Sequence, residues 1–523
     1  MATLALPRER TGEINPWLIA VTVMLATFME VLDTSVANVS LPHIAGNLSA
    51  GVDESTWVLT SYLVSNAIVL PLTGWFSSIF GRKRFYMACV AIFTISSFLC
   101  GLATSLPMLV FFRVIQGAGG GGLQPISQAI LVDHFPREKQ GMAMAVYGMG
   151  VVVAPTIGPT LGGWITDSFS WRWIFFINIP VGILSILMTS LLIKDPLHML
   201  RRKLRIDYIG LGLLSVGLGF LQVVLDKGQR DDWFGSNFIL TATVVASVAL
   251  IGAIIWELLQ KDPIVDLRLL KERNFAIAVL TMYILGFILY GTTVLLPILL
   301  QTLMGYTAMQ SGLVLLPGGV VLLMTLPFVG MLLSKIEARW LVVAGLAITA
   351  IGLFAMAHFE LGMGPATPVE VWIISRFGVA FLFVPINVIA FYYVMPKKIN
   401  DATGLINLAR NVGGSMGISF VTTLLDRGAQ FHQTILAGHI TPLSQNLQAA
   451  LRGMEQQFIL HGSSAIQALH QAEGMLYAMV KRQAMMLSFI DDFRIMGIIA
   501  LGMIPFMFIL KKAKPGRRNV PVH

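Results

Sequence analysis

Long apolar stretches separated by short polar or basic segments recur along the whole chain. They fall near residues 16–40, 57–80, 85–104, 107–131, 142–165, 173–193, 206–225, 237–258, 275–300, 311–333, 340–358, 371–394, 404–425 and 493–510, fourteen in all, numbered here as spans 1 to 14. A helix needs about 20 apolar residues to cross the hydrocarbon layer. Lipid offers no partner for backbone N–H and C=O groups, so each stretch is expected to be helical. The pattern predicts an all-α integral membrane protein with fourteen transmembrane helices. The first apolar run, about 24 residues long, exceeds a signal-peptide core, and no small-residue cleavage site follows it. It is expected to remain as span 1.

Charge fixes the orientation. Of the 36 Lys and Arg residues, 25 fall on segments that are cytoplasmic if the N-terminus is inside. Eight fall outside, and Arg113, Arg376 and Arg410 lie within spans. This asymmetry predicts that both termini are cytoplasmic. The net charge of +9 therefore reads as topology and contact with anionic lipid, not as nucleic-acid binding. Only 12% of residues are charged and 56% are hydrophobic. That excludes a soluble enzyme, a disordered regulator and a nucleic-acid-binding domain. Cys89 and Cys100 are separated by about 16 Å along one helix, too far for a disulfide. The nine histidines show no metal-ligand spacing, so no metal site is expected.

An internal repeat is visible. Span 2 carries Pro71-x-x-Gly74-x-x-x-Ser78, and span 10 carries Pro327-x-x-Gly330-x-x-x-Ser334. Span 4 has Arg113, then Pro125, and exits at Phe135-Pro136; span 12 has Arg376, then Pro385, and exits at Met395-Pro396. Spans 1–6 thus correspond to spans 9–14, with spans 7 and 8 as an inserted hairpin. The expected units are residues 1–200, 201–262 and 263–523. Parallel six-helix halves with a site near the midplane are a transporter design. The competing reading is chance similarity between Gly- and Pro-rich helices.

Ionisable residues inside spans are candidates for function. Glu30 and Asp33 are three apart on span 1 and share a helix face. Helical rise places Asp33 and Arg113 each about 7 Å outward of the midplane, so they can meet. A neighbouring cation holds a carboxylate ionised, whereas burial alone favours its neutral form. Such a pair is either a proton-loading acid with its tuning arginine or a static tie between two helices. Glu30 handles a proton or substrate, or lines a wet cavity. Arg376 is either functional or reaches for the interface, and Arg410 with Asn407 and Asn411 forms a polar patch in span 13. Candidate substrate-cavity residues, chosen by polarity within spans, are Trp57, Tyr62, Asn66, Tyr283, Tyr290, Asn387, Asn407 and Arg410.

Span 5 contains Ala154-Pro155-Thr156-Ile157-Gly158-Pro159-Thr160-Leu161-Gly162-Gly163, either a hinge or a tight packing seam. The glycine run Gly117–Gly122 follows no strand and precedes no Lys-Ser/Thr, so it is not a phosphate loop. No ATPase element accompanies it. The expected energy source is an ion gradient, with no cofactor. Residues from about 426 to 491 form a long outside segment. Thr441-Pro442 predicts a helix start, Leu443, Leu447, Leu451, Met454 and Phe458 an apolar stripe, and Ser463-Ser464 a second helix start. This hairpin is either a docking surface for a partner or a lid on the protein itself.

Leu32-Asp33-Thr34-Ser35-Val36-Ala37-Asn38-Val39-Ser40-Leu41-Pro42 resembles the span 1 signature of 14-span drug:proton antiporters of the major facilitator superfamily. Leu109-x-x-x-Arg113-x-x-Gln116-Gly117 resembles the superfamily's span 4 motif, and Gly158-Pro159-x-x-Gly162-Gly163 its span 5 antiporter motif. Gly74 with Gly81-Arg82-Lys83-Arg84 resembles its loop 2–3 gating motif. The resemblance covers nearly the whole chain and is closest to the EmrB/QacA family. EmrB-type features include Ser55-Thr56-Trp57, Phe175-Phe176-Ile177-Asn178-Ile179-Pro180 and the long loop before span 14.

The resemblance implies the superfamily's fold of two six-helix bundles plus two inserted helices. It also implies proton-driven efflux of hydrophobic, chemically varied drugs across the inner membrane by alternating access. Asp33 would be the coupling acid with Arg113 as its partner, and Gly74, Gly81, Arg82, Pro155, Gly158, Pro159, Gly162 and Gly163 would serve gating and bending. Implied partners are a periplasmic EmrA-like adaptor and a TolC-like outer-membrane channel. The alternative is a dedicated exporter of one metabolite or siderophore. Two positions depart from the family pattern: Ser78 stands where an acid is usual, and Ala154 where a glycine is usual.

Overall fold

The computed structural model describes residues 15–193, 207–260, 263–395, 398–440 and 444–511. Every predicted span falls on a helix, and no strand occurs among the described residues. The first half consists of Pro16–Asn47 (span 1), Trp57–Phe80 (span 2), Arg82–Gly101 (span 3), Leu106–Gly121 with Leu123–His134 (span 4), Arg137–Ser168 (span 5) and Trp173–Phe176 with Asn178–Leu192 (span 6). The inserted pair is Tyr208–Lys227 and Asn237–Leu259 (spans 7 and 8). The second half consists of Arg273–Thr302, Ala308–Leu332, Ala338–Met356, Ala366–Tyr392, Ile399–Gly438 and finally Ala465–Gly502 with Ile504–Phe508 (spans 9 to 14). The basic clusters expected before span 1, between spans 6 and 7 and after Lys511 lie outside the described residues. So do Lys261, Pro396, Lys397, Thr441, Pro442 and Leu443, and the side chains of Arg137 and Thr156.

The protein is multi-pass. Among the described residues, eleven helices are long and apolar enough to cross a membrane, and the bent span 5 makes a twelfth if counted as one. The two remaining predicted spans, 13 and 14, do not meet that measure. Span 14 carries Asp491, Asp492 and Arg494 at its outer end, and span 13 is diluted by Asn407, Arg410, Asn411 and several glycines. Packing sets their places instead: span 13 lies along spans 9 and 14, and span 14 along span 11.

Within the first half, span 1 packs on spans 5 and 6, and span 4 on spans 2 and 3. Within the second, span 12 packs on spans 10 and 11. The halves meet along span 5 with span 10 and along span 2 with span 13. Span 5 is bent by 48° between Pro155 and Ile157, where Pro159 lacks the N–H that would bond Pro155 O and its ring crowds that carbonyl; Ser35 donates to the freed carbonyl at 3.3 Å. Below the bend, Gly158 and Gly162 lie against span 1. A Cβ on Gly158 would stand 2.3 Å from Ser35 Oγ, and one on Gly162 3.0 Å from Val36 Cα. Gly163 is less crowded, 4.0 Å from Val39. The segment is thus both bent and tightly seamed. Pro159 lies inside the same helix. Gly81 turns the chain between spans 2 and 3 at φ 84°, a conformation that favours glycine.

Span 7 bridges the halves at its outer end. Thr60 of span 2 donates to Asp226, Lys227 donates to Thr56, and the Lys227 ammonium lies 5.0 Å from the Trp57 ring. On the other side, Gln222 bonds Ser415 at 2.9 Å, Gln229 bonds Asp426 at 2.8 Å and Trp233 bonds Thr423 at 3.1 Å.

The outer segment is a helical hairpin. Span 13 continues to Gly438, a separate helix runs Gln445–Leu460, and the span 14 helix starts at Ala465. The observed caps are Ser444 and Ser464, the latter in a capping box with Gln467. Leu447, Leu451, Met454 and Phe458 are half-buried on the span 14 helix, so the predicted stripe is partly used within the hairpin. His432 and Asp491 pair at 2.8 Å at its base.

Candidate functional site

Span 1 presents Glu30 and Asp33 to spans 2, 4 and 6, and both are buried. Asp33 receives three donors: Arg113 Nη1 at 2.5 Å, Gln116 Nε2 at 3.0 Å and Asn178 Nδ2 at 2.9 Å. Arg113 is held from behind, its Nε donating to Val58 O at 2.9 Å and its guanidinium lying 4.3 Å from the Tyr62 ring centre. The depth argument from helical rise thus brought together two groups that do pair.

Glu30 has a different setting. Tyr62 Oη and Asn66 Nδ2 each donate to its Oε1 at 3.1 Å, and Gln124 Nε2 donates to Oε2 at 2.5 Å. Gln124 in turn accepts from Arg410 of span 13. One turn further along span 4, Gln128 donates to Asn387 at 3.2 Å and accepts from Asn407 at 2.7 Å. Glu30 is thereby joined to the second half through the Gln124 amide, whereas the partners of Asp33 all belong to the first half. Tyr62 touches both acids' surroundings, bonding Glu30 and facing Arg113.

Glycines let this network form. A Cβ on Gly120 would lie 2.5 Å from Tyr62 Oη, and one on Gly117 2.4 Å from Tyr62 O. The glycine run is therefore a close-packing surface of span 4.

Of the cavity candidates, Tyr62, Asn66, Asn387, Asn407 and Arg410 belong to the network. Tyr290 and Tyr283 are half-buried where span 9 approaches Gly414 and Gly413 of span 13. Trp57 stands apart from the network, at the outer end of span 2 beneath Lys227 and 37% exposed. An apolar cavity of about 360 Å³ lies alongside, bounded by Met29, Leu32, Trp164, Ile165, Trp173 and Asn178. It meets the network at Asn178, and none of the sequence-chosen cavity residues lines it. Gln124 and Gln128 were not singled out from the sequence, and Asn178 entered only within the Phe175–Pro180 feature, with no site role. Their signal is modest: two glutamines four apart on one face, and an asparagine in an apolar run.

At the Gly74 end of span 2, residues that the resemblance assigns to gating lie in a seam between the halves. Asp401 of span 13 sits directly over Gly74, where a Cβ would meet its Oδ1 at 2.1 Å. Asn400 donates to Ser77 at 2.8 Å. Arg82 pairs with Asp133 and donates to Ala129 O. Near Ser78, where the family pattern has an acid, Asp133 pairs with Arg82 and Asp401 lies over Gly74. Ser78 itself bonds Trp75 O within its own helix.

Two packed helical halves with a buried Asp33–Arg113 ion pair among apolar spans have the architecture of a membrane transporter. The chain belongs to the Major Facilitator Superfamily, whose family model matches residues 23–418. Its relatives make it an EmrB-type member. It is 40% identical over 439 residues to the multidrug export protein EmrB of Escherichia coli K12, covering 84% of this chain and 86% of that protein. It is 39% identical over 505 residues to the fatty acid resistance protein FarB of Neisseria gonorrhoeae, covering 96% and 97%. Among solved structures, the proton:xylose symporter XylE bound to 6-bromo-6-deoxy-D-glucose has the same fold, with a TM-score of 0.60 at 15% identity over 96% of this chain and 97% of that one.

Proposed function

We propose that the protein exports hydrophobic, structurally diverse drugs across the inner membrane in exchange for protons, by alternating access. The observation that carries this reading is the buried Asp33–Arg113 pair beside Glu30, tied to the second half through Gln124 and Arg410. The named activities of the EmrB and FarB relatives support efflux of apolar compounds.

Arg113 does not give up its proton, so it sets the affinity of Asp33 rather than carrying the ion. A proton arriving from outside neutralises Asp33 and loosens its hold on Arg113, Gln116 and Asn178. Protonation of Glu30 weakens the Gln124–Arg410 tie between the halves. The inner seam at Gly74 and Asp401 then parts, the proton leaves to the cytoplasm, and cargo enters from the cytoplasm or inner leaflet. Both termini are cytoplasmic in this reading, and no cofactor takes part. The outer hairpin supports assembly with an EmrA-like adaptor and a TolC-like channel.

The test is proton flux in proteoliposomes under an imposed pH gradient on adding a hydrophobic drug. Flux in the wild type that is lost in Asp33→Asn is the expected result. Unchanged flux in the variant places coupling elsewhere and overturns the role of Asp33.

A further inference from the structure

The face that carries the helical hairpin is poor in basic residues, with eight of the 36 Lys and Arg on its segments. Two of the eight, Arg427 on span 13 and Arg494 on span 14, line one groove of about 490 Å³. Leu424, Phe431 and Ile495 give it apolar walls, and His432 and Asp491 complete its polar side. Its floor is closed. A Cβ on Gly428 would stand 2.4 Å from Ser488 Oγ, and Ser488 donates to Leu425 O at 2.8 Å. The two spans approach too closely there for the groove to lead through the protein, so it is a surface site.

Charge decides what fits. Asp491 is already engaged: its Oδ2 pairs with His432 Nε2 at 2.8 Å, and its Oδ1 lies 3.7 Å from Arg494 Nη1. Arg494 is more than half exposed, which leaves its other donors open. Arg427 has no ion-pair partner among the described residues. With His432 neutral, two guanidiniums against one carboxylate leave the groove one positive charge. A phosphodiester carries one negative charge and offers acceptor oxygens that arginine donors match.

The surface beyond Arg494 shows what the phosphate is attached to. Arg494, Ile498 and Leu501 share one face of span 14, at spacings of four and three. Ile498 is 61% exposed and Leu501 42%. The face runs from an open cation straight onto uncovered apolar surface, on a helix that continues toward the basic end of the molecule. An arginine that only reaches for the interface needs no neighbour, whereas here two from different spans share one groove. A free phosphate uses the arginines alone. A phospholipid uses the arginines and the apolar face together.

We propose that this groove holds an anionic phospholipid, its phosphodiester between Arg427 and Arg494 and one acyl chain along Ile495, Ile498 and Leu501. The site is separate from the Asp33 network and requires no assumption about cargo.

The test is photolabelling of the full-length protein in phosphatidylcholine vesicles doped with a diazirine-bearing phospholipid. One arm uses phosphatidylglycerol and the other phosphatidylcholine, with the same labelled acyl chain at equal mole fraction. Mass spectrometry then quantifies labelling of residues 495–501. Phosphatidylglycerol is expected to label them about tenfold more than phosphatidylcholine, the order expected of arginines at a membrane surface. Arg427→Gln combined with Arg494→Gln is expected to remove that excess. Arg230→Gln, at an exposed arginine outside the groove, is expected to keep it. Arg427→Lys with Arg494→Lys, which keeps the charge, is expected to retain part of the excess and decides the matter if the glutamine variant does not fold. Equal labelling by the two lipids in the wild type overturns the proposal. So does an excess that survives the double glutamine substitution, or one that Arg230→Gln removes as well. Inorganic phosphate added in large excess separates the sources: an undiminished preference supports the lipid, and displacement assigns the groove to free phosphate and overturns it.

Discussion

Asp33 and Asp492 are both buried aspartates, yet one accepts three hydrogen bonds and the other none. Their substitutions should have opposite signs. Arg113→Met leaves Asp33 buried beside neutral amides only and should cost about 3–5 kcal/mol. Adding Asp33→Asn should recover part of that loss, because the charge needing a partner is gone. Denaturation of the two variants and the double variant in detergent tests this; purely additive effects would show that the pair contributes no coupling. Asp492→Leu instead replaces an unpartnered carboxyl amid Phe489, Phe493 and Met496, which are buried in the core. It should stabilise by about 1–3 kcal/mol, since an unmatched buried polar group is removed. A fall in melting temperature would mean that Asp492 has a partner in another state.

At the scale of the element, span 4 depends on the absence of side chains. Gly120→Ala would drive a methyl group against Tyr62 Oη, Asn66 and Glu30. It should reduce drug-coupled proton flux more than it reduces stability, because it dislodges the donors to Glu30 without opening the core. Gly46→Ala, which meets no atom within 4 Å, is the matched control. Helix identity was legible in the sequence because apolar runs of span length have few other solutions in lipid. Spans 13 and 14 were legible by position, but their polar content keeps them from standing out by apolarity. The Asp33–Arg113 pair was readable because charges within spans are rare and helical rise fixes their depth. Gln124, Gln128 and Asn178 were not, since neutral amides are common and only packing shows which of them bridge. Trp57 was chosen by polarity within its span, and its place at the helix end sets it apart from the centre.

For the whole molecule, the export reading makes the seam of Gly74, Ser77, Asn400 and Asp401 the contact that parts for cargo to enter. Cross-linking Ser77→Cys to Asn400→Cys should stop drug-coupled flux, and reducing the link should restore it. Native Cys89 and Cys100 are buried and leave little background. Flux that persists with the link formed would place the entrance elsewhere. At the opposite face, the outer end of span 7 is held by Asp226 and Lys227 on the span 2 side. On the span 13 side it is held by neutral amides and hydroxyls and by the exposed Gln229–Asp426 contact. Charge-assisted, buried bonds are the stronger, so when the halves separate the break falls on the span 13 side. The inserted pair then rides with the first half like a shutter hung on one door post. If export proceeds as proposed, the gap on that flank stays screened, and material leaving the centre is directed beneath the helical hairpin instead of sideways into lipid.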